Sequence, residues 1–312
     1  MKVNWKGVYP AITTKFFKDG SIDIDTFKKN INTQVKAGVH GIILGGSLGE
    51  ASTLRKEEKF DLVDKTLEIV DEKIPVIMNI AEKSTPEAVT AAKGAEKLGA
   101  SGLMLLPPMQ YKADDRETVE FFKSVASSTD LPIMIYNNPV DYGIEVTLDM
   151  FEELIEFDNI QAVKESTRDT TNITRFINRF GDRIKVLSGV DTIALESMVL
   201  GASGWVAGLV CAFPRETVAI YQLVKENKIE EALKIYRWFM PLLELDIHPK
   251  LVQYIKLAEV ATGIGTEYVR QPRLPLVGEE RDRVQNIIQT SLEKRSSIEE
   301  LVYNNSELIG QS

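Results

Sequence analysis

VYPAITTKF, residues 8–16, is the stretch on which the fold turns. A first strand that opens a doubly wound α/β sheet is normally followed by a glycine-rich nucleotide turn. Here the apolar run passes straight into Thr13 and Thr14, with no GxGxxG behind it and no Walker A sequence in the chain. Working outward, runs of the same character recur: GVYPAI (7–12), GIILG (41–45), PVIMNI (75–80), GLMLL (102–106), PIMIY (132–136), IQAV (160–163), IKVLS (184–188) and GWVAG (204–208). They are too continuously apolar for half-exposed antiparallel strands and read as parallel strands buried on both faces. Between them apolar residues fall at helical spacing, as in Phe27, Ile31, Val35 and Phe60, Val63, Leu67, Val70. Strand, helix, strand at roughly 30 residues per unit is the βαβ pattern. Eight such units without a nucleotide turn predict an α/β fold, a closed (β/α)8 TIM barrel.

A short repeat marks the junctures. LGASG occurs at 98–102 and 200–204, and AGVHG at 37–41 is a looser copy. In each, the first glycine suits a left-handed helix C-cap and the second a tight entry into the next strand. Beyond about residue 226 no strand run appears, only helical patterns at 228–245, 249–262 and 279–303. The expected division is a catalytic barrel over 1–226 and a C-terminal helical extension over 227–312. Tyr236, Trp238 and Tyr254 are expected to fill the interface between the two rather than hold a cofactor. The tail 296–312 receives no role.

Composition narrows the function. With 37 Lys and Arg against 46 Asp and Glu, the formal charge is −9, which disfavours nucleic acid and anionic membranes. The N-terminus MKVNWKGVYP has no apolar signal core, and no stretch approaches the ~18 apolar residues of a membrane span. A single cysteine, Cys211, forms no intramolecular disulfide and points to a reducing cytoplasm. His40 and His248 are the only histidines, so a histidine/cysteine zinc site has no ligands, and no aspartate cluster suggests magnesium. Neither a metal nor an organic cofactor is expected.

In a barrel the chemistry sits at the C-terminal ends of the strands. Three of those ends carry reactive or anion-binding groups. Lys164, in IQAVKEST (160–167), would be partly desolvated, and a neutral amine attacks ketones and imines to give a Schiff base. A lysine there could equally reach water or pair with Glu165 or Asp191. GGSLGE (45–50) lets backbone N–H groups converge on a carboxylate or phosphate, though alone it is also a tight turn with Glu50 facing solvent. Tyr136, in IYNNP, could move a proton at a bound carbonyl, though an isolated tyrosine is more often a core residue.

Taken in this order and spacing, GSLGE, YNNP and VKES resemble the dihydrodipicolinate synthase/N-acetylneuraminate lyase family over about residues 5–300. The resemblance implies a barrel with a helical extension, a homotetramer, and Schiff-base chemistry on 2-oxo acids without metal or cofactor. It implies that Lys164 is the Schiff-base lysine, that Tyr136 moves protons at the adduct, and that Ser47 with the N–H of Leu48 holds the 2-oxo carboxylate. Gly46, Asn138, Asp141, Gly189 and Val206 complete the implied substrate pocket. Three departures bear on substrate. Family synthases have a threonine pair where Ser47 and Leu48 stand. They carry a relay tyrosine after the fourth strand, where LLPPMQY has Met109 with Tyr111 nearby. They place an arginine for the second substrate's carboxylate where VDYG has Asp141. An aspartate would repel an anionic aldehyde, which argues against the synthase reaction.

PIMIYNNPVDYG with LVQYIKLAEVATGIGTEYVRQPRLPLVGEER (251–281) more closely resembles a catabolic branch, the 1-pyrroline-4-hydroxy-2-carboxylate deaminases. The expected activity is therefore deamination of that cyclic imine to 2,5-dioxopentanoate and ammonia. The alternatives are a 2-keto-3-deoxy sugar acid aldolase or dehydratase, dihydrodipicolinate synthase, and a non-catalytic 2-oxo acid sensor.

Overall fold

The computed structural model of the chain describes residues 2–306. Eight strands form one parallel sheet: β1 (Gly7–Pro10), β2 (Ile42–Leu44), β3 (Val76–Ile80), β4 (Gly102–Leu105), β5 (Ile133–Asn137), β6 (Ile160–Glu165), β7 (Lys185–Ser188) and β8 (Gly204–Ala207). Each of the eight apolar runs supplies one strand: six are shorter than their run, β5 is shifted by one residue, and β6 continues two residues past its run to include Lys164 and Glu165. The sheet order is β1-β8-β7-β6-β5-β4-β3-β2. The remaining gap is bridged by Ala11 pairing with Ile43 and by the Ile12 N–H donating to the Ile43 carbonyl at 3.0 Å. The sheet thus closes into a barrel ringed by helices, with nearly every strand residue buried.

The juncture glycines divide their work differently from the expectation. Gly38, Gly99 and Gly201 have φ of +82°, +92° and +109°, as a left-handed helix exit requires. The second glycines answer to close approach rather than to a turn. A Cβ on Gly204 would lie 2.3 Å from the Gly7 carbonyl oxygen, and one on Gly41 would enter the Tyr9 ring. Neighbouring strands can close only where those side chains are missing.

After the eighth barrel helix, Pro214–Lys225, the chain continues as helices Ile229–Leu243, Leu251–Ala261, Gly278–Glu293 and Glu299–Ser306. The single pattern expected over 279–303 is broken by a 3₁₀ turn at Arg295–Ser297, so it becomes two helices. Residues 307–312 of the tail lie outside the described residues. Tyr236 and Trp238 meet the barrel, as expected, whereas Tyr254 makes its hydrogen bonds within the extension. Trp238 packs on Phe213 and Phe239 and donates to the Ser291 carbonyl, Tyr236 donates to the Asp191 carbonyl, and Tyr254 donates to Glu280. Among the described residues no helix is long and apolar enough to cross a membrane.

Two ion pairs with fully buried side chains tie helix Leu251–Ala261 to the barrel. Lys15 meets Glu259 at 2.9 Å, and Lys256 meets Glu50 at 2.6 Å. A third link is less buried: Arg270 forks onto Glu58 at 2.8 and 3.0 Å. The Arg270 guanidinium draws the Glu58 carboxyl down to about 2. A carboxyl depressed in the folded state stabilises fully above its unfolded value, here about 4.5, and that stabilisation fades as the pH falls toward 2. In urea titrations between pH 5 and 2, Arg270→Leu is expected to give a shallower acid-side loss of stability than wild type.

Candidate active site

Strand alternation sets the site. Lys164 and Tyr136 are register partners on β6 and β5, so both point into the barrel mouth. Their successors Glu165 and Asn137 are also partners and point the other way, where Asn137 donates to Glu165 at 3.0 Å and the Thr167 N–H donates to it at 2.8 Å. Glu165 is therefore occupied away from Lys164. Asp191 is taken up too, accepting from Trp205 Nε1 at 2.8 Å and from the N–H groups of Gly208 and Leu209. Among the described residues no carboxylate stands within ion-pair distance of the Lys164 ammonium. It lies 4.0 Å from the centroid of the Tyr136 ring. Burial pulls the Lys164 amine below its ordinary value, against the attraction of nearby Tyr142, Asp246, Asp191 and Asp141.

Gly189, at the end of β7, exists to let Lys164 lie there. A Cβ on it would fall 2.1 Å from Ser166 Oγ and 2.7 Å from Lys164 Cγ. Gly189→Ala is expected to displace the amine and slow covalent trapping of a 2-oxo acid at Lys164 about 100-fold. Timed mass spectrometry after borohydride quenching measures this.

Tyr136 is buried, and its hydroxyl accepts from Asn138 Nδ2 at 3.0 Å. Asn138 is fixed in turn by donating to Asp141 Oδ2 at 2.7 Å and accepting from the Asp141 N–H. Burial first, then the Asp141 charge, raises the phenol well above its ordinary value, so Tyr136 holds its proton at neutral pH. Tyr142 crosses it edge to face at 5.6 Å and hydrogen-bonds Ser47 Oγ. Burial and Tyr136 push the Tyr142 phenol up to about 12.

The GGSLGE turn lies across the mouth on β2. Gly45 and Glu50 both have positive φ, +69° and +55°. A left-handed glutamate needs fixing, and Glu50 has it: Lys256 grips Oε1, while the Arg270 N–H donates to Oε2 at 3.0 Å. Glu50 is thus wholly buried and is the anchor of the turn, contrary to the solvent-facing alternative. Asn79 holds the Gly45 carbonyl and Thr14 the Gly49 carbonyl.

All nine expected site residues, Gly46, Ser47, Leu48, Tyr136, Asn138, Asp141, Lys164, Gly189 and Val206, line one pocket. Tyr142, Arg168 and Asp246 line it too and were not anticipated. Tyr142 was available in the YNNPVDYG motif. Arg168 follows KEST, but nothing in that string shows its left-handed backbone (φ +66°) or its place at the rim. Asp246 comes from a 3₁₀ turn of the extension, Glu244–Ile247, and only tertiary packing brings it in. Tyr111 is exposed and does not line this pocket. Among the described residues no group of three or more His, Cys, Asp or Glu side chains is placed to hold a metal ion.

The model of the dihydrodipicolinate synthetase family matches residues 4–291. The chain belongs to that family. Its relatives include the 4-hydroxy-tetrahydrodipicolinate synthases of Methanothrix thermoacetophila, 31% identical over 91% of this chain and 96% of that protein, and of Archaeoglobus fulgidus, 32% identical over 91% and 96%. Among solved structures, the synthase of Methylacidiphilum fumariolicum SolV superposes with a TM-score of 0.90 at 29% identity, covering 95% of this chain and 99% of that one. The Acinetobacter baumannii dihydrodipicolinate synthase, solved in complex with pyruvate, gives 0.87 at 26% identity over 92% and 99%. As a dihydrodipicolinate synthetase family member, the chain is a Schiff-base-forming lyase with this barrel and C-terminal helices.

Proposed function

We propose that Lys164 forms the Schiff base, with carbon 2 of a 2-oxo acid or with the corresponding carbon of its cyclic imine. The observation that carries this reading is a buried, unpaired amine lying over a protonated tyrosine and facing a glycine-rich turn. Tyr136 protonates the departing oxygen, and Ser47 with the Leu48 N–H receives the carboxylate. The pyruvate complex of the Acinetobacter baumannii enzyme supports a 2-oxo acid as ligand. The expected homotetramer is proposed from membership of the family alone.

Two finer readings compete. The relatives favour 4-hydroxy-tetrahydrodipicolinate synthase, the name they carry, and similarity supports it better than any other activity. Arg168, an exposed cation at the rim with no partner among the described residues, could meet a second carboxylate on that reading. The distal pocket supports the other reading, deamination of 1-pyrroline-4-hydroxy-2-carboxylate. Asp141 and Asp246 face the space beyond Lys164, which disfavours an anionic partner and suits a hydroxyl or an amine. On that route Lys164 attacks the cyclic imine carbon and the ring opens to a ketimine. The derived enamine expels the 4-hydroxyl, and hydrolysis releases ammonia and 2,5-dioxopentanoate. One panel decides: pyruvate with aspartate semialdehyde, 2-keto-3-deoxy sugar acids, and the pyrroline. Semialdehyde consumption with pyruvate establishes the synthase, and ammonia release from the pyrroline alone establishes the deaminase. Pyruvate release from a sugar acid rejects both.

A further inference from the structure

The barrel order makes β2 and β6 opposite walls, so a 2-oxo acid joined to Lys164 with its carboxylate at the Ser47 turn spans the mouth. One flank of that span, on β5 and the loop after it, carries Tyr136, Asn138, Asp141 and Tyr142. The other flank, over β7, β8 and β1, is lined by Gly189, Val190, Val206, Ala207, Gly208 and Ala11. That flank has no titratable side chain of its own. The extension supplies one: the 3₁₀ turn Glu244–Ile247 carries Asp246 over the end of β8. Its carboxyl lies so close above Gly208 that a Cβ there would stand 2.2 Å from Asp246 Oδ1.

We propose that Asp246 moves the proton at carbon 3 of the Lys164-bound 2-oxo acid, leaving the oxygen of carbon 2 to Tyr136. The proposal rests on the Schiff-base reading. Once water has left carbon 2, the adduct is an iminium. The Asp246 carboxylate takes one proton from carbon 3, the C–H electron pair becomes the C2=C3 bond, and the C2=N π pair returns to the Lys164 nitrogen. The result is a neutral enamine and a neutral Asp246 carboxylic acid, and the reverse transfer restores the iminium.

The surroundings favour this use. Among the described residues no side chain donates a hydrogen bond to Asp246, which faces the Asp191 backbone N–H; the Asp141 carboxylate is held by the Asn138 side chain and that of Asp191 by Trp205 and two backbone N–H groups. Burial, then the Asp191 charge, raises the Asp246 carboxyl far above the ordinary carboxylate range, while Lys164 opposes the rise and Asp141 adds to it. The other charged or titratable groups lining the pocket are Arg168, Tyr136 and Tyr142. A positive iminium on Lys164 favours the ionised base when it is needed, and the neutral enamine lets Asp246 keep the proton.

The test uses pyruvate in D2O, with methyl-proton exchange followed by NMR and borohydride trapping at Lys164 read by mass. For Asp246→Asn the expected result is an adduct yield within about 3-fold of wild type and methyl exchange slowed about 100-fold or more. Asp246→Glu should recover part of the exchange, and the acid limb of the exchange pH profile should vanish in Asp246→Asn. Wild-type exchange in Asp246→Asn overturns the proposal, as does equal loss of adduct and exchange. Absence of any adduct in the wild-type protein overturns the Schiff-base reading and this proposal with it.

Discussion

Lys164→Ala is expected to abolish covalent trapping and to lower turnover by at least ~10⁴-fold, about 5–6 kcal/mol of barrier, with the fold intact. The size of the loss follows from what the amine does: without it no iminium forms, and nothing else in the mouth can accept the electron pair from carbon 3. Lys164→Arg should fail as completely, because a guanidinium stays protonated and is no nucleophile. Stability should move the other way. The amine is buried without an ion-pair partner, so Lys164→Met removes an uncompensated polar group and should raise the denaturant midpoint. Mass spectrometry after borohydride, with urea denaturation on the same samples, checks both halves. An adduct surviving in Lys164→Ala would place the nucleophile elsewhere.

Lys256→Ala is expected to carry the largest stability loss, about 3–5 kcal/mol, because it strands Glu50 as a charge without its ammonium partner inside the protein. Both side chains are wholly buried. Lys256 also donates to the Tyr268 carbonyl and lies 4.6 Å from the Phe16 ring centroid, and burial draws its amine down to about 8. Function should follow stability. Glu50 holds the left-handed corner of the turn that carries Ser47 and Leu48, so its release loosens the carboxylate site and raises KM more than it lowers kcat. The double variant Glu50→Gln/Lys256→Met should regain most of the lost stability, since the Gln oxygen can still accept the Arg270 N–H and no charge is stranded. Chemical denaturation of the single and double variants supplies the numbers.

The Lys256–Glu50 pair shows why part of the site could not be read from the chain. Lys164, Tyr136 and the 45–50 turn were legible because each ends an apolar run, and a barrel puts all strand ends at one rim. Their mutual facing follows from period-two alternation, which also explains why Glu165, next in sequence to Lys164, is its neighbour in the chain but not in the pocket. Glu50 read equally well as a surface residue, because nothing near it in sequence announces Lys256 or Arg270. Arg168 and Asp246 were hidden for related reasons. One depends on a backbone conformation that glycine usually supplies, and the other on how a helix after the barrel is docked.

The sequence alone determined the eight-strand barrel, the rim on which its chemistry lies and the lysine and tyrosine at its centre. All of these rest on local period and on composition at strand ends. Only the tertiary structure decided that Tyr142 on one flank reaches across to Ser47 and that the extension closes the other flank with Asp246. It also decided that Glu50 locks the anion turn. Those placements arise from contacts between segments far apart in the chain, where burial and charge pairing, rather than local pattern, choose the partner.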